Sequence, residues 1–239
     1  MNIQASKLGI PLVDPVRVPI KTILENLNEP TARQKSLIQK HVASVHLISI
    51  LDQKTIHRRE YRDSTYWYSA IYIMEVLLKT TTDLSDVMGL LHQAFPEATV
   101  FLAVGDGKSY ITAATKRVNQ IDDSRSVVED VAISLIKDDA EQYMDIGNLP
   151  GDNLKEYFDN VVKHVYKLKV FNTTGVYPEA DADYKTVMKK HDALQQELNA
   201  LREEYKQATM QAEKIDIDDK IYDKENEVAN LIRTLKGNK

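Results

Sequence analysis

The hydrophobic period changes twice between Tyr66 and Arg117, and that change limits the fold more than any other stretch of the chain. From Tyr66 to Lys79, Tyr66, Tyr68, Ala70, Tyr72, Met74, Val76 and Leu78 recur at period two, with Ile71, Ile73 and Leu77 on the other face. A strand that is apolar on both faces is covered on both sides, so it is expected inside a sheet and not at its edge. From Asp83 to Phe95 the period becomes helical through Leu84, Val87, Met88, Leu91, Ala94 and Phe95. Asp83 and Asp86 suit the N-cap and N3 positions, and Pro96 ends the helix. Val100, Leu102 and Val104 then alternate up to Gly105, Asp106 and Gly107, whose residue types tolerate positive φ, and Tyr110, Thr112 and Ala114 return. The order strand, helix, strand, strand predicts an α+β domain: a small mixed or antiparallel sheet with packed helices.

The flanks are read the same way. An extended, proline-punctuated arm is expected first, packed through Ile10, Leu12 and Val16, followed by a short helix opened by Pro19. A second helix is expected to start near Asn28, carrying Leu37, Ile38, His41 and Val42. Val45 to Leu51 reads as a first strand or as a continuation of that helix, and Val127 to Ile136 as a strand or a helix. From Asp152, the row Leu154, Tyr157, Phe158, Val161, Val162 and Val165 predicts a helix, and the domain is expected to close near 178.

Residues 179–239 are different in kind. Tyr184, Val187, His191, Leu194, Leu198, Leu201, Tyr205, Ala208, Ala212 and Ile215 alternate steps of three and four, a heptad pattern. Ile221, Val228, Leu231 and Leu235 continue a seven-residue spacing out of phase. Either one helix carries a discontinuity or the chain turns at Asp216 to Asp219, giving a coiled-coil or helical-hairpin extension. The expected seam is Leu194, Leu198, Leu201, Val228, Leu231 and Leu235, to be covered by a partner chain, a second copy or the returning helix.

The residues spell out no reaction. The chain has no cysteine, which removes disulfides, thiolate nucleophiles and cysteine-built metal sites. The histidines His41, His46, His57, His92, His164 and His191 form no HExxH pair, and there is no GxSxG motif and no phosphate loop. Glu75 and Lys79 share a strand face but lack the preceding aspartate that a metal-dependent nuclease uses. No catalytic residue, metal or cofactor is assigned. A formal charge of −5 speaks against a non-specific nucleic-acid binder. His57, Arg58, Arg59 and Arg62, joined by Lys116 and Arg117, nevertheless form a candidate phosphate-contacting patch, whose bland counterpart is a solvated connection. Tyr61, Tyr66, Trp67 and Tyr68 offer stacking surfaces, although strand spacing favours core. No apolar run is long enough to span a bilayer, and a cytoplasmic location is expected.

Val18-Pro19-Ile20-Lys21, the helix ending at the Leu51 to Thr55 connection, the Ile71 to Lys79 strand, Ala94-Phe95-Pro96 before Val100 to Val104, and Ala114-Thr115-Lys116-Arg117 together resemble a bacterial domain-of-unknown-function family. The resemblance extends through Ile146-Gly147-Asn148-Leu149. It implies a setting beside helicase, restriction and DNA methyltransferase genes in phage-defence loci. Lys214 to Lys224 departs from that family in being rich in Asp where Arg and Asn are usual. The resemblance implies a setting and not a mechanism; within that setting the preferred reading is a non-catalytic accessory subunit of a restriction-like anti-phage complex, assembling through its C-terminal helices on a partner such as the helicase or DNA methyltransferase of the locus. A homo-oligomer is a further expectation. The alternative is a DNA-contacting factor or nuclease-like enzyme using the basic patch.

Overall fold

The computed structural model describes residues 3–27, 29–120, 126–178 and 182–236. The chain divides into two compact units, Met1–Leu168 and Lys169–Lys239.

The first unit opens with α1 (Ile3–Ser6), β1 (Val16–Val18) and α2 (Ile20–Asn26), which begins directly after Pro19. The arm is anchored by buried Ala5 and Leu8, while Val16 is exposed, so Val16 is not the anchor its apolar character suggested. Next comes α3 (Ala32–His41). The Thr31 hydroxyl accepts from the Gln34 amide and the Gln34 side chain answers to the Thr31 amide, a complete capping box. The residue near which this helix was expected to start, Asn28, lies outside the described residues. The helix stops at His41, and β2 (Val42–Leu51) follows, which settles Val45 to Leu51 as strand. A single turn, α4 (Gln53–Ile56), is capped by Asp52.

The long strand expected from Tyr66 is two strands. β3 (Tyr61–Arg62) and β4 (Trp67–Tyr68) form a separate two-stranded sheet, and β5 (Ile71–Leu78) starts afresh beyond Ser69 and Ala70. Period two survives the break because both pieces are extended, so the pattern alone does not reveal it. Then α5 (Leu84–Ala94), β6 (Ala98–Gly105) and β7 (Lys108–Val118) follow in the expected order. Asp83 stands at the N-cap of α5 but does not cap it. Its backbone is left-handed at φ 56° and its carboxylate lies 3.7 Å from the buried His41 ring. Gly105 pairs with Lys108, leaving Asp106 and Gly107, at φ 50° and 69°, as a two-residue turn of the type whose twist suits a hairpin.

β8 (Ser126–Ile136) resolves the second strand-or-helix choice. The six-stranded sheet runs β1-β2-β5-β6-β7-β8, antiparallel throughout except for the β5–β6 pair that α5 connects. On one face Ile23, Ile38, Val87, Met88 and Leu91 from α2, α3 and α5 pack against Val45, Met74, Val76, Phe101 and Ala103. Ile71, Ile73, Val100, Leu102, Ile111 and Ala113 are buried as well, so the central strands are covered on both faces. After a 3-10 segment at Asp138–Tyr143, α6 (Leu154–Thr174) supplies the expected row from Leu154 to Val165, all buried. Phe158 meets Tyr68 with ring centroids 5.7 Å apart, and the Tyr166 hydroxyl donates to Asp130 of β8.

The second unit holds α7 (Tyr184–Gln207) and α8 (Gln211–Leu235), which pack on one another. The chain changes direction through extended residues at Ala208 and Met210 and not at Asp216 to Asp219, which lie inside a continuous α8. Leu194 and Leu198 are covered by Val228, with Ile221, Leu231 and Ile232 against them. These contacts join two of the heptad positions of α7 to α8. Arg202 pairs with Glu225 at 2.8 Å and Lys224 with Glu197 at 2.9 Å along its flanks. No helix among the described residues is long and apolar enough to cross a membrane.

Candidate functional site

The five cations of the sequence-derived patch do not converge. Arg58 turns inward: Nη2 donates to the Leu149 carbonyl at 2.6 Å, Nη1 donates to the Gly151 carbonyl, and the guanidinium lies over the Tyr157 ring at 4.7 Å. It fastens the loop ahead of α6, where Gly151 adopts φ 147° and a Cβ would stand 2.4 Å from the Tyr157 amide nitrogen. Arg59 is exposed, and its carbonyl accepts from the Leu154 amide at the start of the same helix.

Arg62, Lys116 and Arg117 meet around Trp67. The β3–β4 hairpin owes its shape to Asp63, whose carboxylate accepts from the Thr65 amide at 2.7 Å, the Tyr66 amide at 2.6 Å and the Tyr61 hydroxyl at 2.7 Å. The Tyr61 hydroxyl, and after it the two amides, hold the Asp63 pKa below the ordinary carboxylate range. The Val118 amide donates to the Thr65 carbonyl at 2.8 Å, pinning the hairpin tip to the end of β7. Tyr68 is thereby buried and Trp67 is turned out, 45% exposed, with Arg62 over its ring at 4.6 Å.

Trp67, Pro96, Glu97, Lys116, Arg117 and Ser126 line a pocket of about 90 Å³, which shares Pro96 and Ser126 with a neighbouring cleft of about 540 Å³ bounded by Glu25, Gln93, Asn119 and Val128. Lys116 forms its floor. A register shift in the β7–β8 pairing between Thr115 and Lys116 turns this side chain under the C-terminal end of α5. There Nζ donates to the Phe95 carbonyl at 2.6 Å and the Glu97 carbonyl at 2.7 Å. It answers the C-cap carbonyl of Phe95, which the helix end leaves open, and joins the Thr99 hydroxyl on the Glu97 carbonyl beyond it. Burial pushes its pKa down to about 7, against the opposing pull of Glu97. On the same strand Thr112 meets His92 Nε2 at 2.8 Å, and burial, then Lys116, holds that imidazole's pKa well below its ordinary value. Arg117 lies 3.7 Å from Glu129. The Ser126 hydroxyl is buried without a hydrogen-bond partner among the described residues.

The Glu75 and Lys79 pair forms no centre: Lys79 donates to the Gln39 carbonyl at 2.7 Å and Glu75 sits opposite His46 on β2. Among the described residues no three His, Asp or Glu side chains stand close enough to hold a metal ion. In the second unit Leu194, Leu198 and Val228 are buried, and Leu201, Leu231 and Leu235 are half-buried. Among its described residues the large exposed apolar side chains are Met210, Ile215, Tyr222 and Val176, at 67%, 54%, 66% and 49%, with Tyr205 less open. Sequence reasoning placed Tyr205 and Ile215 in the heptad row and did not single out Val176, Met210 or Tyr222. It also placed Trp67 with the core, although the alternation Trp67-Tyr68 already puts one ring on each side of a strand.

The chain belongs to the family described as Domain of unknown function (DUF4391), whose model matches residues 12–228. No curated protein and no solved structure matches it.

Proposed function

We propose that this chain is a non-catalytic accessory subunit of a bacterial restriction-like anti-phage system. On this reading it presents its C-terminal helices to a protein partner such as the helicase or DNA methyltransferase of the same locus. The observation that carries the reading is the side of α8 turned away from α7. Ile215 precedes the buried Ile217 by two residues, roughly 200° around a helix of 3.6 residues per turn. Tyr222 lies one heptad further along the same stripe. Neither serves the α7–α8 seam, which Leu194, Leu198 and Val228 already fill. These two large exposed apolar side chains, one heptad apart, form the apolar centre of the proposed contact surface. Asp216, Asp218, Asp219 and Asp223 surround them, all exposed. The matching surface is an apolar groove rimmed by Lys and Arg, and an acidic stripe of this kind repels DNA itself.

Co-expression of the full chain with the tagged helicase or methyltransferase of its locus tests this. The wild type co-purifies and Ile215→Asp with Tyr222→Asp does not, while helical content by circular dichroism stays unchanged. Equal recovery of the double variant with both enzymes overturns the reading.

A further inference from the structure

We propose that the cleft beside Trp67 binds a nucleotide unit, its base stacked on the side of the indole that lines the pocket and its phosphate held by Arg62 and Arg117. This site lies in the first unit and stands independently of the docking reading. Trp67 is the only tryptophan in the chain, and it is held out on a pinned hairpin while its neighbour Tyr68 packs inside. A rigid, exposed aromatic face is the part of a single-strand site that gives most of its energy and asks least of base identity. Arg62, already seated against the ring at 4.6 Å, and Arg117, lining the same pocket, place two guanidinium forks where a phosphate following a stacked base would fall. Arg117 is only loosely engaged by Glu129 at 3.7 Å.

Two further features suit a polar, anionic occupant. The buried Ser126 hydroxyl lines both the small pocket and the cleft that adjoins it, and a ligand oxygen or base edge would satisfy it. Lys116 lies below, fixed by its two carbonyl partners, and adds positive charge to the site only toward the acid side of about pH 7. The adjoining cleft of about 540 Å³ leaves room for sugar and phosphate beyond a stacked base. Glu97 and Glu129 stand at the same rim, so the positive excess is small. Stacking therefore carries the affinity and the salt dependence is shallow.

The single tryptophan is its own reporter. The full chain is titrated with thymidine monophosphate and, separately, with a short oligothymidylate while Trp67 emission is followed. Saturable quenching is expected. Binding of the oligomer at least about tenfold tighter than the monomer assigns the site to single strands, and near-equal binding assigns it to free nucleotides. By calorimetry, Trp67→Leu weakens binding about tenfold or more while Trp67→Phe retains it, and Arg62→Ala and Arg117→Ala each lower the salt slope by about one. The inference is overturned if neither ligand quenches or releases heat at millimolar concentration, or if Trp67→Leu, folded by circular dichroism, binds as the wild type does.

Discussion

Replacing Lys116 by Met isolates the energetics of one buried amine. In the folded chain burial pushes its pKa down to about 7 from the ordinary 10.5. Between those values the unfolded chain holds a proton that the folded chain has released, so raising the pH through the window stabilises the fold. From pH 7 to pH 9 the gain is about 2 kcal/mol, approaching about 1.4 kcal/mol per pH unit once release is complete. Lys116→Met has no such gain, and it also leaves the Phe95 carbonyl without its donor, at about 1–3 kcal/mol where water does not reach it, while the Glu97 carbonyl keeps the Thr99 hydroxyl. Urea unfolding of both proteins at pH 7, 8 and 9 measures the difference. The wild type should draw away from the variant by about 2 kcal/mol over that range. Parallel pH dependence refutes the reasoning: it would mean that the two carbonyls keep the amine charged in spite of burial.

Three further outcomes follow from the same structure. Burial lowers the His164 pKa to about 4 and that of His92 well below its ordinary value, so the folded chain refuses protons that the unfolded chain takes up below about pH 6.5. Stability therefore falls on acidification from pH 6.5 to pH 4.5, and His92→Gln shows a smaller fall in denaturant midpoints. Arg58→Ala destabilises by about 2–4 kcal/mol, because the Leu149 and Gly151 carbonyls lose a charged donor and Tyr157 loses its cover; retention of wild-type stability makes Arg58 a surface cation after all. Leu198→Ala costs about 2–4 kcal/mol of the second unit's stability, and Ile215→Ala within about 0.5 kcal/mol of nothing, by thermal unfolding monitored at the helix band.

The central part of the fold was legible because its signals are local. The α5 row, the Pro96 stop and the Asp-Gly turn each fix a backbone state within a few residues, and the order β5, α5, β6, β7 follows. The break at Ser69 and Ala70 was not legible, since a lone Ser is a weak turn signal and alternation continues through it. The bend between α7 and α8 escaped for a similar reason: Ala208-Thr209-Met210 contains no Gly or Pro, whereas the Asp-rich run at 216–219 looked like a loop and is helix. Asp83 illustrates a tertiary override, its carboxylate lying toward His41 instead of the helix amides. The basic patch was half legible. Charge marks which residues are cations, but only packing shows that Arg58 and Lys116 spend their donors on buried carbonyls while Arg62 and Arg117 remain beside Trp67.

That the outer side of α8 is the working surface is the claim on which the functional account stands. Amide hydrogen exchange of the full chain, alone and mixed with the proposed partner, the helicase or methyltransferase of its locus, tests it most directly. The account predicts slowed exchange in Gln211–Leu235, centred on the turns that carry Ile215 and Tyr222. Unchanged exchange throughout that helix, with protection appearing only in the sheet unit, contradicts it.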